Sequence, residues 1–312
     1  MNQLPRGTER ANAPRQADGR KLRRRCGTLG ACILGLLIVV LAPARVLAHE
    51  PIFGVGPRVI WKDGLGLQIQ LDRQEEELPR QEGKDDREEA WVINYEVLYG
   101  LTANQAITLA IPHVLDRRTA TAQNGGIGDL LLRYKGRFDR RDVPGGVYHA
   151  SVLAGVELPT GARDGPLPTG SGTYDVMGGL AAGYEGRLVF GAGRYKRNGT
   201  SDAGVDIGNG LIADAAVGFR PVRTAYRRPD TVVMAELNYQ SLGRAQREGI
   251  VVPNTGRNVL YLSAGVWLTY RNHAFKPGIQ LPVHTDDRGG ASRPDWRFVV
   301  AYEVHTGSLF GR

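Results

Sequence analysis

Hydrophobic residues recur at every second position along most of the chain, in runs of about ten residues. In one such run Leu130, Leu132 and Tyr134 share a face, while Arg133 and Lys135 share the opposite face. A period of two is the pattern of a β-strand with one apolar face. Residues 49–312 contain no convincing apolar helix with a 3.6-residue period. The pattern therefore predicts an all-β chain.

The number and spacing of these runs predict a closed barrel. Twelve runs are found, at 58–71, 89–100, 104–112, 128–138, 147–158, 174–184, 187–195, 210–220, 230–240, 258–270, 274–282 and 296–306. Long connections at 72–88, 113–127, 159–173, 196–209, 241–257 and 283–295 alternate with shorter ones at 101–103, 139–146, 185–186, 221–229 and 271–273. An even strand count, long extracellular loops and short periplasmic turns are typical of bacterial outer-membrane barrels. We expect a closed antiparallel transmembrane β-barrel of about twelve strands.

A soluble β-sandwich would also alternate polar and apolar residues, so it is the competing interpretation. The barrel is favoured because the runs are longer than the usual strand of about 5–6 residues. Polar residues such as Glu236 and Asn238 also occupy the second face of strand after strand. Aromatic residues stand at both ends of single outward faces, at a spacing that gives roughly 20–25 Å of height, as between the two girdles of such barrels. The predicted girdle residues are Trp91, Tyr99, Tyr174, Tyr184 and Trp296.

Charge is concentrated in the first 48 residues. The chain of 312 residues has a formal net charge of +8, which alone would suggest a nucleic-acid partner. The first 48 residues hold nine Lys/Arg and two Asp/Glu, whereas the rest holds 31 and 30. Both cysteines, Cys26 and Cys32, also lie there, so the remainder has no thiol for a disulfide or a zinc site. The nearly neutral remainder argues against nucleic acid.

The same 48 residues have the features of an export signal. A basic stretch from Lys21 to Arg25 precedes an apolar run at 26–41, and Val46-Leu47-Ala48 ends the segment with small residues. The run is shorter than the about 20 residues that a spanning helix needs. We expect a signal peptide at 1–48, cleaved after Ala48, and a barrel at 49–312 in the outer membrane of a Gram-negative bacterium. Its partners would be membrane lipid, lipopolysaccharide and a small-molecule solute.

Motifs in the middle of the chain carry a family resemblance. Gly126-Ile127-Gly128-Asp129 leads into a strand, Leu158-Pro159-Thr160-Gly161 follows, and then Leu167-Pro168-Thr169-Gly170-Ser171-Gly172 approaches Tyr174-Asp175. This order resembles the outer-membrane family named after the meta-pathway of phenol degradation, over about residues 89–306. The resemblance implies a twelve-stranded barrel that passes small hydrophobic or aromatic compounds. One departure is that Phe310 is followed by two further residues, whereas such barrels often end on an aromatic residue.

Strand parity predicts which charged residues face the lumen. Two roles compete for them: ion pairs that brace the wall, favoured because twelve strands leave little room, and a lining for a solute path. The predicted lumen residues are Glu96, Asp129, Arg133, Lys135, Arg137, Glu157, Asp214, Glu236, Arg297 and Glu303.

Three further patterns in the sequence resemble binding sites. His49 would become the mature N-terminus, and its amine and imidazole suit copper. A second imidazole ligand would have to come from one of several other histidines. The acidic residues of 72–88 could bind a divalent cation or bridge to lipopolysaccharide, although a solvated loop is the simpler interpretation. Gly125, Gly126 and Gly128 lack the lysine-serine pair of a nucleotide loop.

Enzymatic activity is not expected. His149 and Ser151 share a face, but parity places that face in the lumen, away from lipid, and no G-x-S-x-G motif is present. We expect no cofactor. The sequence thus favours passive transport of a small molecule. The alternative is a non-conducting barrel that binds a metal ion or a partner, beside a metal-efflux system for example.

Overall fold

The structure is a computed structural model that describes residues 50–79, 86–163, 165–201, 204–222, 224, 228–288 and 290–306. The predicted signal peptide at 1–48 and His49 lie outside the described residues, as do Glu82 and Asp85 of the first acidic loop. Nowhere in these ranges does a helix occur that is long and apolar enough to cross a membrane.

Twelve long strands form the wall within the described part of the chain. They are β1 (Leu65–Glu77), β2 (Arg87–Thr102), β3 (Gln105–Arg118), β5 (Leu130–Val143), β6 (Gly146–Leu158), β7 (Asp175–Tyr184), β8 (Val189–Arg197), β10 (Gly210–Phe219), β11 (Asp230–Leu242), β14 (Arg257–Tyr270), β15 (His273–Asp286) and β16 (Arg293–Thr306). Each pairs antiparallel with its neighbours, and β1 also pairs with β16, which closes the sheet. The predicted closed twelve-stranded barrel is confirmed.

Four short strands belong to the long connections. β4 (Gln123–Ile127) pairs with the end of β3, and β9 (Val205–Asp206), β12 (Gln246–Arg247) and β13 (Ile250–Val251) form a small separate sheet. We call the end of the barrel that carries these connections the loop end. The opposite end, which we call the turn end, has connections as short as 103–104 and 144–145, and both β1 and β16 reach it.

The first strand begins later than its alternating pattern suggests. Strand β1 starts at Leu65 instead of residue 58, and it extends to Glu77. A turn precedes it, in which Asp63 has a positive φ of 58° and its backbone N–H donates to the carbonyl of Gly100. Residues 58–62 therefore alternate in sequence without belonging to the wall.

The outward face of the wall is apolar and the inward face is largely polar. Ile69, Leu180 and Ile279 point outward and are 52%, 59% and 42% exposed. Side chains of the opposite parity on the same strands, such as Gln68 and Gln280, point into the barrel. Because closure pairs the backbone of every wall strand on both sides, this sheet has the properties that a lipid environment requires.

Candidate functional site: the barrel lumen

Residues 50–60, which we call the lumen segment, run inside the barrel. The carboxylate of Glu236, on the inward face of β11, accepts hydrogen bonds from three consecutive backbone amides, those of Ile52, Phe53 and Gly54, at 2.5, 3.1 and 3.0 Å. Glu236 is only 1% exposed. A buried carboxylate is costly unless it is hydrogen-bonded, so this contact fixes the segment against the wall.

Further polar contacts hold the rest of the lumen segment. Glu50 forms an ion pair with Lys135 of β5 at 3.0 Å. Arg58 forms one with Glu185, in the turn after β7, also at 3.0 Å. The hydroxyl of Ser151 donates to the carbonyl of Pro57. The segment is thus attached to β5, β6 and β11, on different sides of the lumen.

The wall is shaped to accommodate the segment. A Cβ atom on Gly278 would lie 2.8 Å from the ring of Phe53, and one on Gly265 would collide with the side chain of Ile52. Ile52 also packs on a buried apolar cluster that contains Val232, Met234 and Trp267. The segment therefore packs directly on the inner face of β14 and β15.

A hydrogen-bonded polar network covers the wall next to Glu236. Gln280 donates to Asn238 and Ser263 at 3.0 and 3.1 Å, and Asn238 donates to Asp214 at 3.0 Å. Arg194 completes the network with an ion pair to Asp214 at 2.5 Å. Buried polar groups that satisfy one another in this way rigidify the structure.

Two cavities remain in the lumen. The upper cavity, toward the loop end, has a volume of about 560 Å³ and is lined by charged and polar residues, including Arg117, Asp129 and Glu157. The lower cavity, about 770 Å³, lies beside the lumen segment and has a more apolar lining. Four residues line both cavities and so stand at their boundary: Gln70, Glu96, Arg133 and Arg297.

Ion pairs between different strands brace the lumen wall, and two of the following three reach across an intervening strand. Arg133 and Glu96 lie 2.7 Å apart, Lys196 and Glu157 2.8 Å, and Lys276 and Glu303 2.6 Å. Several of these ion-paired side chains also line the cavities, so the two predicted roles of the inward charges are compatible in the same residues.

The long connection after β6 folds over the loop end and is anchored by one carboxylate. Asp129 accepts hydrogen bonds from the amides of Gly161 and Ser171, at 2.9 and 2.5 Å, and from the Ser171 hydroxyl at 2.8 Å. The hydroxyl of Thr160 donates to the carbonyl of Gly128, and that of Thr169 donates to the carbonyl of Ile127, both at 2.9 Å. The G-x-G-D motif and both L-P-T-G motifs therefore meet at one place, where they hold this loop above the upper cavity.

A known protein family matches the part of the chain that contains these three motifs. The family described as "Putative MetA-pathway of phenol degradation" matches residues 95–267, which include all three motifs. The chain belongs to this family. The expected membership is confirmed, and in this member of the phenol-degradation MetA family the shared motifs have a visible structural role as the anchor of a loop.

A solved structure of an outer-membrane channel shares the barrel fold. A crystal structure of an outer-membrane channel from Pseudomonas putida F1 is 14% identical, with a TM-score of 0.67, over 83% of this chain and 100% of that chain. The β domain of the Bordetella autotransporter BrkA is 12% identical, with a TM-score of 0.44, over 78% and 99%. No curated protein matches the chain by sequence. The fold is that of an outer-membrane β-barrel.

The ten predicted lumen residues of this family member occupy different positions in the lumen. Glu96, Arg133 and Arg297 lie at the boundary of the cavities, Asp129 and Glu157 line the upper cavity, and Lys135 and Glu303 line the lower one. Asp214 and Glu236 are buried beside the lumen segment. Arg137 lies near the turn end, where it donates to the carbonyl of Ala103 and to Asn104.

The lumen segment itself was not expected from the sequence. Its prolines and glycines, Pro51, Gly54, Gly56 and Pro57, suggest an irregular extended chain but give no location. Asp72 was also missed as a lumen residue, because the predicted first strand ended one residue before it. It accepts hydrogen bonds from Arg297, Gln70 and Asn94 and is 3% exposed.

The predicted girdle residues lie at both ends of the wall. Trp91 and Trp296 flank the guanidinium of Arg73 at the loop end, and Tyr174, 70% exposed, is near the same end. Tyr99 and Tyr184 lie at the turn end, where the hydroxyl of Tyr99 donates to Asp63 at 3.0 Å.

The metal hypothesis cannot be placed on the structure. His49 lies outside the described residues, and within them no group of three histidine, cysteine or acidic side chains is positioned to hold a metal ion.

Proposed function

We propose that this protein lies in the outer membrane and passes small molecules through its lumen by passive diffusion. One observation carries the proposal: an apolar outer wall encloses two cavities that meet at a boundary of four polar side chains, beside a segment held by hydrogen bonds. In this arrangement the loop end is extracellular and the turn end is periplasmic. The protein reaches the membrane after its signal peptide is removed.

The solutes we propose are small hydrophobic or aromatic compounds. The family resemblance implies this class, and the lower cavity supports it, since Phe53, Ile60, Leu98 and Trp267 belong to its lining. Apolar and aromatic linings with a few polar groups are typical of sites for small organic ligands. Lipid and lipopolysaccharide would surround the barrel, and no nucleic acid is expected as a partner.

We infer that transport involves no chemical step. Nε2 of His149 lies 3.0 Å from Glu185, and the hydroxyl of Ser151 donates to the carbonyl of Pro57. The two side chains therefore do not form the serine–histidine pair that a hydrolase requires. Esterase activity of the purified protein that disappeared in Ser151→Ala would contradict this inference.

Flux through reconstituted protein tests the proposed function. Mature protein in vesicles is tested against phenols, sugars and salts, with protein-free vesicles as the background. We expect protein-dependent flux of at least the small aromatic solutes. Absence of flux for every solute, from protein whose mobility on an unheated gel shows that it is folded, would contradict the channel and favour a non-conducting barrel.

A further inference from the structure

We propose that the boundary between the two cavities selects organic anions with an apolar body, such as aromatic carboxylates. The proposal rests on the proposed channel function and specifies its solute class. The two residues that carry it are Arg133 and Arg297, which approach the boundary from β5 and β16.

Arg297 is held in place by only part of its guanidinium. Its Nε and Nη2 atoms each lie 2.7 Å from Oδ1 of Asp72, and Nη1 takes no part in this pair. Oδ2 of Asp72 accepts from Gln70 and Asn94, both at 2.8 Å. Since the carboxylate of Asp72 is buried and already engaged on both oxygens, it orients Arg297 without withdrawing it from the lumen.

Arg133 has still more unused donor capacity. Its Nη2 atom lies 2.7 Å from Glu96, whereas its Nε atom is buried and has no hydrogen-bond partner among the described residues. A guanidinium has five N–H donors in a planar fork, which matches a carboxylate. The buried Nε is out of a solute's reach, so an anion in the cavities would bind the terminal Nη atoms of this side chain, which is 28% exposed.

The acidic side chains near the boundary are largely occupied. Glu96, at the boundary itself, is paired with Arg133, and Glu157 is paired with Lys196. Asp129 accepts three hydrogen bonds from the loop after β6.

Among the described residues that line the lower cavity, eight are Lys or Arg and five are Asp or Glu. Two of these cations, Arg194 and Arg297, pair with Asp214 and Asp72, which are not part of this lining. The lining thus has no excess of acidic side chains that would repel an anion.

The apolar part of the solute has a surface beside the arginines. The ring of Phe53 lies 5.8 Å from the guanidinium carbon of Arg297, and Leu98, Leu153 and Trp267 line the same lower cavity. A carboxylate bound by the arginines would place an attached aromatic ring against these side chains. A neutral ring of the same shape would gain the apolar contacts but no charge-assisted hydrogen bonds.

The test compares 4-hydroxybenzoate with its neutral isostere 4-hydroxybenzamide at neutral pH. Uptake of each is measured in vesicles that contain mature wild-type protein, the double variant Arg133→Gln/Arg297→Gln, or the matched control Arg140→Gln. Arg140 is exposed, pairs with Asp142 and lines neither cavity. A second double variant, Arg133→Lys/Arg297→Lys, keeps the charge but loses the planar fork. Protein-free vesicles give the background for each solute.

We expect wild-type protein to favour the anion. The glutamine double variant should lower anion flux about tenfold, the effect of losing a charge-assisted hydrogen bond, while amide flux changes less than about twofold. Anion flux through the lysine double variant should lie between the values for wild type and for the glutamine double variant. Fluxes through the Arg140→Gln control should equal those of wild type. Equal fluxes of the two solutes in wild type, or parallel changes of both in the glutamine variant, would overturn this proposal and leave the channel intact. No flux of any solute in wild type would overturn the channel itself.

Discussion

The carboxylate of Glu236 lies 2.5 Å from the backbone nitrogen of Ile52, a residue 184 positions earlier in the chain. Phe53 and Gly54 donate to the same carboxylate. One side chain of the wall, in the middle of β11, therefore holds three residues of the lumen segment.

Replacing Glu236 should loosen the lumen segment. We expect Glu236→Ala to increase ion conductance in planar bilayers and to lower the free energy of unfolding by about 3 kcal/mol, because three backbone amides lose their carboxyl acceptor. Gln240→Ala is the matched control, since Gln240 faces inward on the same strand and has no hydrogen bond to the described residues of the segment. Unchanged conductance in Glu236→Ala, from protein that is folded on a gel, would show that the segment does not limit the passage.

Replacing Asp129 should release the loop above the upper cavity. Without its carboxylate the amides of Gly161 and Ser171 lose their acceptor. We expect Asp129→Ala to be cleaved by trypsin at Arg163, in this loop, at least about tenfold faster than wild type, since cleavage follows local opening. The control is Asp139→Ala, whose carboxylate pairs only with Arg141 at the surface among the described residues. Equal cleavage rates in the two variants would show that Asp129 does not anchor the loop.

The wall strands could be predicted from the sequence because the alternation of polar and apolar residues that specifies each strand lies within that strand. Alternation along each strand fixes which side chains face inward, and this placed Glu236 in the lumen although its partners were unknown. The contacts of the lumen segment could not be predicted, since Ile52 and Glu236 are far apart in sequence and neither carries a recognisable motif. The start of β1 was misplaced because an extended segment inside a barrel can alternate as a strand does.

The family motifs show a different limit. Asp129 and the two L-P-T-G segments identified the family from sequence, yet their spacing did not reveal that they bind one another. The expected role of Asp129 was a lumen charge, by parity. Its carboxylate instead accepts hydrogen bonds mostly from backbone amides of a loop. No pattern of residue types in the sequence predicts such a partner.

An outward-facing cation at the loop end should contribute to barrel stability. The guanidinium carbon of Arg73 lies 5.1 Å from the ring of Trp91 and 5.0 Å from that of Trp296, so it joins β2 and β16 across β1. We expect Arg73→Ala to lower the free energy of unfolding in urea by about 1–2 kcal/mol, the sum of two partly exposed cation–π contacts. Arg73→Lys should lower the free energy of unfolding less than Arg73→Ala does, because lysine keeps a cation beside the two rings. Arg87→Ala, at a more exposed arginine nearby, is the control and should cost less; an equal loss would argue against the aromatic contacts.

The pair of Lys276 and Glu303 offers a double-mutant test of lumen bracing. The two side chains are 10% and 15% exposed and lie 2.6 Å apart. The ammonium of Lys276 also lies 4.7 Å from the ring of Trp267, in the lower lumen. Lys276→Met removes the cation and leaves the side chain of His305 as the remaining ion-pair partner of Glu303. Removing one partner of a buried pair is costly, so we expect a loss of about 3 kcal/mol in the free energy of unfolding.

The double variant Lys276→Met/Glu303→Leu tests whether this buried ion pair stabilises the wall more than an exposed ion pair would. Because it leaves no uncompensated charge, its loss in urea unfolding should be smaller than that of Lys276→Met alone, with a coupling energy of at least about 1 kcal/mol. The exposed pair of Arg140 and Asp142 at the turn end, 51% and 71% exposed, is the matched control and should couple by less than about 0.5 kcal/mol. Additive losses at Lys276 and Glu303 would mean that water in the lumen screens the pair, and that the inward charges serve the solute path without bracing the wall.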